Sequence, residues 1–116
     1  MIKKSSRVYL EDIQTALQKI ERYTADGKAA FLRDGKTQDA VIRNLSIIGE
    51  ATKKLPKSIR DTSPTTPWKQ IAGMRDILIH DYSATDIHIV WNTLTEDLPP
   101  LQKVITRLLQ NQKKNS

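Results

Sequence analysis

The sequence lacks several features that define common classes of protein. It contains no cysteine, which excludes disulfides, thiolate zinc sites and a cysteine nucleophile. Two histidines are too few for a histidine-rich metal site, and we expect no metal or other cofactor. No apolar run approaches the roughly 18 residues of a membrane span, and the start MIKKSS has no apolar region typical of a signal peptide. We therefore expect a cytoplasmic protein that is not bound to a membrane.

Length and composition favour one small domain with an aliphatic core. The 116 residues include two Trp, three Tyr and one Phe, so Leu, Ile, Val and Ala must supply most of the buried surface. We expect a single domain over residues 1–116, with polar, frayed ends at 1–6 and 111–116. The net charge of +6 favours partners such as nucleic acid. Much of that charge comes from lysines in the two ends, which would serve to keep the ends soluble as well as they would serve to bind nucleic acid.

Apolar residues recur at spacings of three and four, which predicts an all-α fold of four main helices and one or two short ones. The first helix follows Ser5 or Ser6 and ends at Asp26-Gly27, and a second opens near Thr37 and stops at Pro56. Thr66-Pro67 begins a third, and Thr85 caps the last. The predicted buried stripes are Leu10, Ile13, Leu17 and Ile20 of the first helix; Val41, Leu45, Ile48, Thr52 and Leu55 of the second; Trp68, Ile71 and Leu78 of the third; and Leu94, Leu98, Leu101, Ile105 and Leu108 of the last.

Pro99 and Pro100 interrupt the last predicted helix. Proline removes a backbone donor and clashes with the preceding turn of a helix. The apolar face nevertheless keeps its spacing on both sides of the pair, so we expect one kinked but continuous helix.

The octet RDILIHDY places Arg75, His80 and Tyr82 in an otherwise aliphatic helix. Arg75 and Tyr82 fall on nearly the same face, whereas Arg75 and His80 lie about 140° apart on an ideal helix. Three arrangements bring them together: a distortion of the helix near His80, an arginine side chain that wraps round, or a second copy of the helix across a two-fold axis.

These side chains suit the cleavage of RNA without a metal. Histidine titrates near neutral pH and can take a proton from a ribose 2′-hydroxyl or give one to a leaving oxygen. Arginine stays charged and matches the geometry of phosphate. The alternative is structural, because a histidine near a helix end also serves as a cap or pairs with an aspartate.

Three stretches together resemble a known family: KTQDAVIRNLSIIGEATKKLP, PWKQIAGMRDILIHDY and DIHIVWNTLTEDLPPL. They are similar to the HepT-like toxins of the HEPN superfamily, whose motif R-x4-H-x-Y is matched by Arg75, His80 and Tyr82. The resemblance runs from about Leu10 to about Leu109.

The resemblance implies a helical HEPN bundle that forms a homodimer, with the Arg and His of both protomers in one cleft. It implies an endoribonuclease toxin of a toxin–antitoxin pair. It also implies a partner antitoxin, an MntA-like nucleotidyltransferase that transfers AMP from ATP onto the motif tyrosine, here Tyr82. The implied assembly is the homodimer or a larger hetero-oligomer with the antitoxin. The catalytic positions are Arg75 and His80.

Other positions are expected to support the site. Asp76 follows the motif arginine, where many family members have asparagine, and Asp81 stands where glycine is common. Arg43 and Asn44 match a family block and face either the cleft or solvent, and Glu50 pairs with Arg43 or Arg75. Trp68 and Trp91 are expected to be packing anchors, and His88 to have no catalytic role.

Two other functions fit parts of the sequence. The first is a non-catalytic HEPN module that binds a nucleotidyltransferase or a nucleotide, which the two aspartates in the motif would suit. The second is a basic DNA-binding protein, but the run Ile77-Leu78-Ile79 is unlike a recognition helix.

Overall fold

The computed structural model describes residues 5–80 and 87–114, and for residues 75–80 and 113–114 it describes the backbone alone. In these ranges the chain forms seven helices and no strand. They are α1 Ser6–Tyr23, α2 Lys28–Leu32, α3 Gly35–Lys53, α4 Lys57–Arg60, α5 Trp68–His80, α6 Ile87–Glu96 and α7 Leu98–Lys114. The predicted all-α class is confirmed. Helix α7 continues to Lys114, into the stretch 111–116 that is expected to be frayed.

The core is built from the predicted apolar stripes. Every described member of the four stripes is buried, and Leu10, Ile13, Val41, Ile48 and Ile105 have no exposed surface. Leu78 lies outside the described side chains. Burial of an aliphatic side chain stabilises the fold by about 1.5–3 kcal/mol, so these stripes hold the bundle together.

Helix α3 occupies the centre of the bundle. It packs against α1 and α5 along much of its length, and more briefly against α2. Helix α7 packs on α1, and α6 bridges from α7 to α2, where Trp91 meets Phe31 with ring centroids 5.3 Å apart. Trp68 is 8% exposed, so both tryptophans act as packing anchors, as predicted.

Side chains close the junction between α2 and α3. The Asp34 carboxylate is the N-cap of α3: its Oδ1 accepts from the backbone of Lys36 at 3.1 Å and its Oδ2 from the Thr37 hydroxyl at 2.8 Å. Gln38 Nε2 donates to the carbonyl oxygens of Phe31 and Leu32, at 2.9 and 3.1 Å. The bonds to the Lys36 N–H and to the two carbonyl oxygens satisfy backbone groups that helix ends leave without an intrahelical partner.

The predicted continuous helix across Pro99-Pro100 is wrong. Helix α6 ends at Glu96, Asp97 forms a turn, and α7 begins at Leu98. The two prolines therefore lie in the first turn of α7, where backbone N–H groups have no intrahelical acceptor and none is lost. The four expected main helices become five for this reason.

In the described part of the chain, none of the helices combines the length and the apolar character that a bilayer span requires.

Replacing Gly27 with alanine should destabilise the fold. Gly27 has φ +92° and ψ −177°, a region open essentially to glycine alone, and a non-glycine residue there costs about 1–3 kcal/mol. Gly35→Ala is the matched control, because φ there is not positive and no atom lies within 4 Å of an added Cβ. Urea unfolding should show a lower free energy of unfolding for Gly27→Ala than for the wild type, and no decrease for Gly35→Ala. Equal stability of the two variants would contradict this view of the α1–α2 turn.

The N-cap of α3 should make stability depend on acid. The Thr37 hydroxyl and the backbone N–H groups of Thr37 and Lys36 lower the pKa of Asp34 below its usual 3.8. The stabilisation is therefore present above that value and is lost as pH falls through the lowered pKa. Asp34→Asn keeps a capping oxygen without titrating. Melting temperatures should be measured from pH 7 to pH 2.5. The melting temperature of the wild type should exceed that of Asp34→Asn at neutral pH and equal it in acid. A difference in melting temperature that does not change with pH would contradict the assignment.

Candidate functional site

The octet occupies the C-terminal half of α5. Arg75, Asp76 and His80 all lie on this helix, which remains α-helical through His80; their side chains, Asp81 and Tyr82 lie outside the described residues. A distortion of the helix before His80, one of the three arrangements considered, is not observed. On a regular helix, the Cα positions of residues 75 and 80 are about 9 Å apart and about 140° apart around the axis.

The packing of α5 on α3 determines which residues neighbour the octet. The connection between them, residues 54–67, is compact: it contains α4, and Trp68 Nε1 donates to the carbonyl oxygens of Arg60 and Ser63 at 3.1 and 3.0 Å. The start of α5 is thus held near the end of α3. Closely packed helices joined in this way run antiparallel, so the octet lies beside the first half of α3.

Arg43 lies in that first half of α3 and is exposed. It forms no ion pair with Glu50, one of the two pairings expected for that glutamate; the other, with Arg75, involves a side chain outside the described residues. The guanidinium is therefore open to solvent, one of the two positions expected for it, and its contact with phosphate stays a prediction.

Asn44 is buried, with 5% of its surface exposed. Its Nδ2 donates to the carbonyl oxygen of Ala40 at 2.8 Å, one turn back on the same helix, and its Oδ1 receives no hydrogen bond. A buried acceptor left in this state costs about 1–3 kcal/mol. Asn44 therefore lies in the core rather than on the exposed surface of α3, and its contribution to the site stays a prediction.

Glu50 pairs with a lysine on its own helix. Its Oε1 lies 3.7 Å from Lys54 Nζ, and the two side chains are 40% and 52% exposed. A pair this exposed contributes about 0–1 kcal/mol. Glu50 lies nearly two turns after Arg43 on α3, and its pairing with Arg75 stays a prediction.

Acidic and histidine side chains are dispersed over the described part of the molecule. No three of them come close enough together to hold a metal ion there. His88 is exposed on α6, on a different helix from the octet.

Sequence reasoning missed a groove between the first half of α5 and the first half of α7. Its volume is about 300 Å³. Ile71 and Leu101 form its buried floor, and Met74 and Val104 its half-buried walls. We call it the α5–α7 groove; its rim consists of Thr65, Thr66, Pro67, Gln70, Glu96, Asp97 and Pro100. The signal was present as apolar spacing on each helix, but only the tertiary structure sets the two rows side by side.

Comparison with known proteins identifies the family to which the chain belongs. The model of the family described as "Ribonuclease HepT-like" matches residues 13–108, which include the octet. No solved structure gives a significant match.

Relatives align over almost their entire length. The chain is 44% identical over 108 residues to the "Probable ribonuclease HepT" of Thermococcus cleftensis, covering 92% of this chain and 98% of that one. It is 42% identical over 111 residues to a "Putative RNase" of Caldanaerobacter subterraneus subsp. tengcongensis, covering 95% and 99%. It is 38% identical over 112 residues to a "Putative RNase" of Methanocaldococcus jannaschii, covering 96% and 97%. The chain is a member of the ribonuclease HepT-like family.

Proposed function

We propose that this protein is a metal-independent endoribonuclease that acts in the cytoplasm as the toxin of a toxin–antitoxin pair. The observation that carries the proposal is the R-x4-H spacing of Arg75 and His80 on one regular helix of a HepT-like chain. The names of its relatives support ribonuclease activity. The exposed Arg43 on the adjacent helix supplies a further positive charge for an RNA backbone.

The proposed reaction is a transfer of the phosphoryl group within the RNA. The ribose 2′-oxygen attacks the adjacent phosphorus and loses its proton to a histidine, the bond from phosphorus to the 5′-oxygen breaks, and a second histidine protonates that oxygen. The products are a 2′,3′-cyclic phosphate and a 5′-hydroxyl. Arg75 binds the phosphate and stabilises the charge that develops on it, and Asp76 orients Arg75.

We propose that two protomers complete the site. Because α5 is regular through His80, one helix directs Arg75 and His80 to different sides. A homodimer with α5 near its two-fold axis brings one protomer's Arg75 toward its partner's His80. It also provides the two histidines, one as base and one as acid, that the reaction needs.

We propose that Tyr82 is the site of inhibition. An MntA-like nucleotidyltransferase would catalyse attack of the Tyr82 hydroxyl oxygen on the α-phosphorus of ATP, which releases pyrophosphate and the hydroxyl proton and leaves an adenylyl group on the tyrosine. The group adds bulk and negative charge two residues from His80, where an RNA phosphate must bind.

Replacing His80 with alanine should abolish RNA cleavage. Loss of a general acid–base residue lowers a rate by about 10²–10⁴-fold. The protein should be incubated with mixed cellular RNA in excess EDTA, and the fragment ends examined for cyclic phosphate. His88→Ala is the matched control, because it removes the other histidine of the sequence.

Two results would contradict the ribonuclease assignment. One is equal cleavage by wild type, His80→Ala and His88→Ala, which would indicate a contaminating nuclease. The other is no cleavage by wild-type protein whose mass shows Tyr82 unmodified, which would favour the non-catalytic module and direct attention to Asp76.

Replacing Tyr82 with phenylalanine should keep the ribonuclease active and remove its inhibition. The variant should be incubated with the nucleotidyltransferase and ATP, and its intact mass measured. Tyr23→Phe is the control, since Tyr23 is 41% exposed and lies on α1, a different helix from the octet. Wild type and Tyr23→Phe should gain adenylyl groups and lose cleavage, and Tyr82→Phe should do neither. Modification of Tyr82→Phe to the wild-type extent would contradict the assignment.

A further inference from the structure

The α5–α7 groove has the form of a site for a helical segment of another protein. One wall carries Pro67, Gln70, Ile71 and Met74, which follow one face of α5 at spacings of three and four, and the other carries Pro100, Leu101 and Val104 of α7. Grooves between two such rows accept the apolar face of an amphipathic helix. At about 300 Å³, this one has room for a few side chains of such a helix rather than for a large ligand.

The charges at the rim indicate the character of the occupant. Glu96 and Asp97 are exposed at one end of the groove, and neither forms an ion pair or a side-chain hydrogen bond with a described residue. The lining includes no lysine or arginine, although the chain has 19 basic against 13 acidic residues. Two carboxylates repel RNA phosphates and attract a cationic segment.

The helix ends at which Glu96 and Asp97 lie do not require either carboxylate. Asp97 holds the N-cap position of α7, but a cap bonds the backbone N–H of the second or third helical residue, and those residues are Pro99 and Pro100, which have none. Glu96 is the last residue of α6, where the helix dipole disfavours negative charge. The local structure would be at least as stable with a cation at Glu96.

We propose that the α5–α7 groove binds a basic amphipathic helix of a partner protein. Apolar side chains of that helix, three and four residues apart, lie on Ile71 and Leu101, and its lysine or arginine pairs with Glu96 and Asp97. The residues of α5 that line the groove all precede the octet. This inference does not depend on ribonuclease activity.

The test selects peptides from a displayed random library on the purified full-length protein and measures their affinity by fluorescence anisotropy. The test variant is Glu96→Lys. The matched control is Glu21→Lys, because Glu21 is also an exposed glutamate in the last turn of a helix but does not line the groove. Both changes reverse the same charge at a helix C-terminus, so both should leave the melting temperature unchanged or raise it.

The expected peptides have apolar residues at helical spacing together with lysine or arginine. Their affinity should fall about tenfold on Glu96→Lys and stay the same on Glu21→Lys. Failure to enrich any peptide, or equal binding by both variants, would overturn the proposal. A change from dimer to monomer in Glu96→Lys, measured by sedimentation, would also overturn it, because the occupant would then be a second copy of the chain.

Discussion

The packing of α3 between α1 and α5 is the constraint on which the rest of the molecule depends. Buried residues of α3 cover an arc of about 160°, with Val41 and Ile48 near its centre and Ala51 and Gly49 at its edges. An arc this wide lets one helix pack on two neighbours at once. It holds α5 antiparallel to α3, and so fixes the octet beside the first half of α3 and the start of α5 beside its end.

Periodicity was sufficient to predict the helices, because each must bury one apolar face and that face recurs every three or four residues. The same signal failed at Pro99-Pro100. Apolar spacing indicates which residues face the core. Because the spacing continues when two helices are separated by a single residue, it does not distinguish one continuous helix from two. The break at Asp97 follows instead from the local chemistry of proline, which is tolerated in a first turn and disfavoured in a helix interior.

The sequence was sufficient to predict the parts of the candidate site that lie on a single helix. The octet could be assigned to a helix from its spacing, and its neighbours required the tertiary structure. Arg43 and Asn44 are adjacent, yet one is exposed and the other buried, because they straddle the edge of the buried arc of α3. Glu50 lies 3.7 Å from Lys54, four residues on, a pairing that helical spacing allows but does not select over Arg43. The α5–α7 groove could not be predicted from either helix alone, because only the tertiary structure brings its two apolar rows side by side.

The regularity of α5 through His80 bears most directly on how the proposed active site is assembled. One measurement tests this: wild-type protein is mixed with increasing amounts of inactive His80→Ala protein, the two are allowed to exchange subunits, and RNA cleavage is assayed in EDTA. A mixed dimer has one His80 and lacks either the base or the acid, so the cleavage rate per wild-type chain should fall as His80→Ala protein is added. A rate per wild-type chain that stays constant while subunits exchange would contradict a site shared between two protomers.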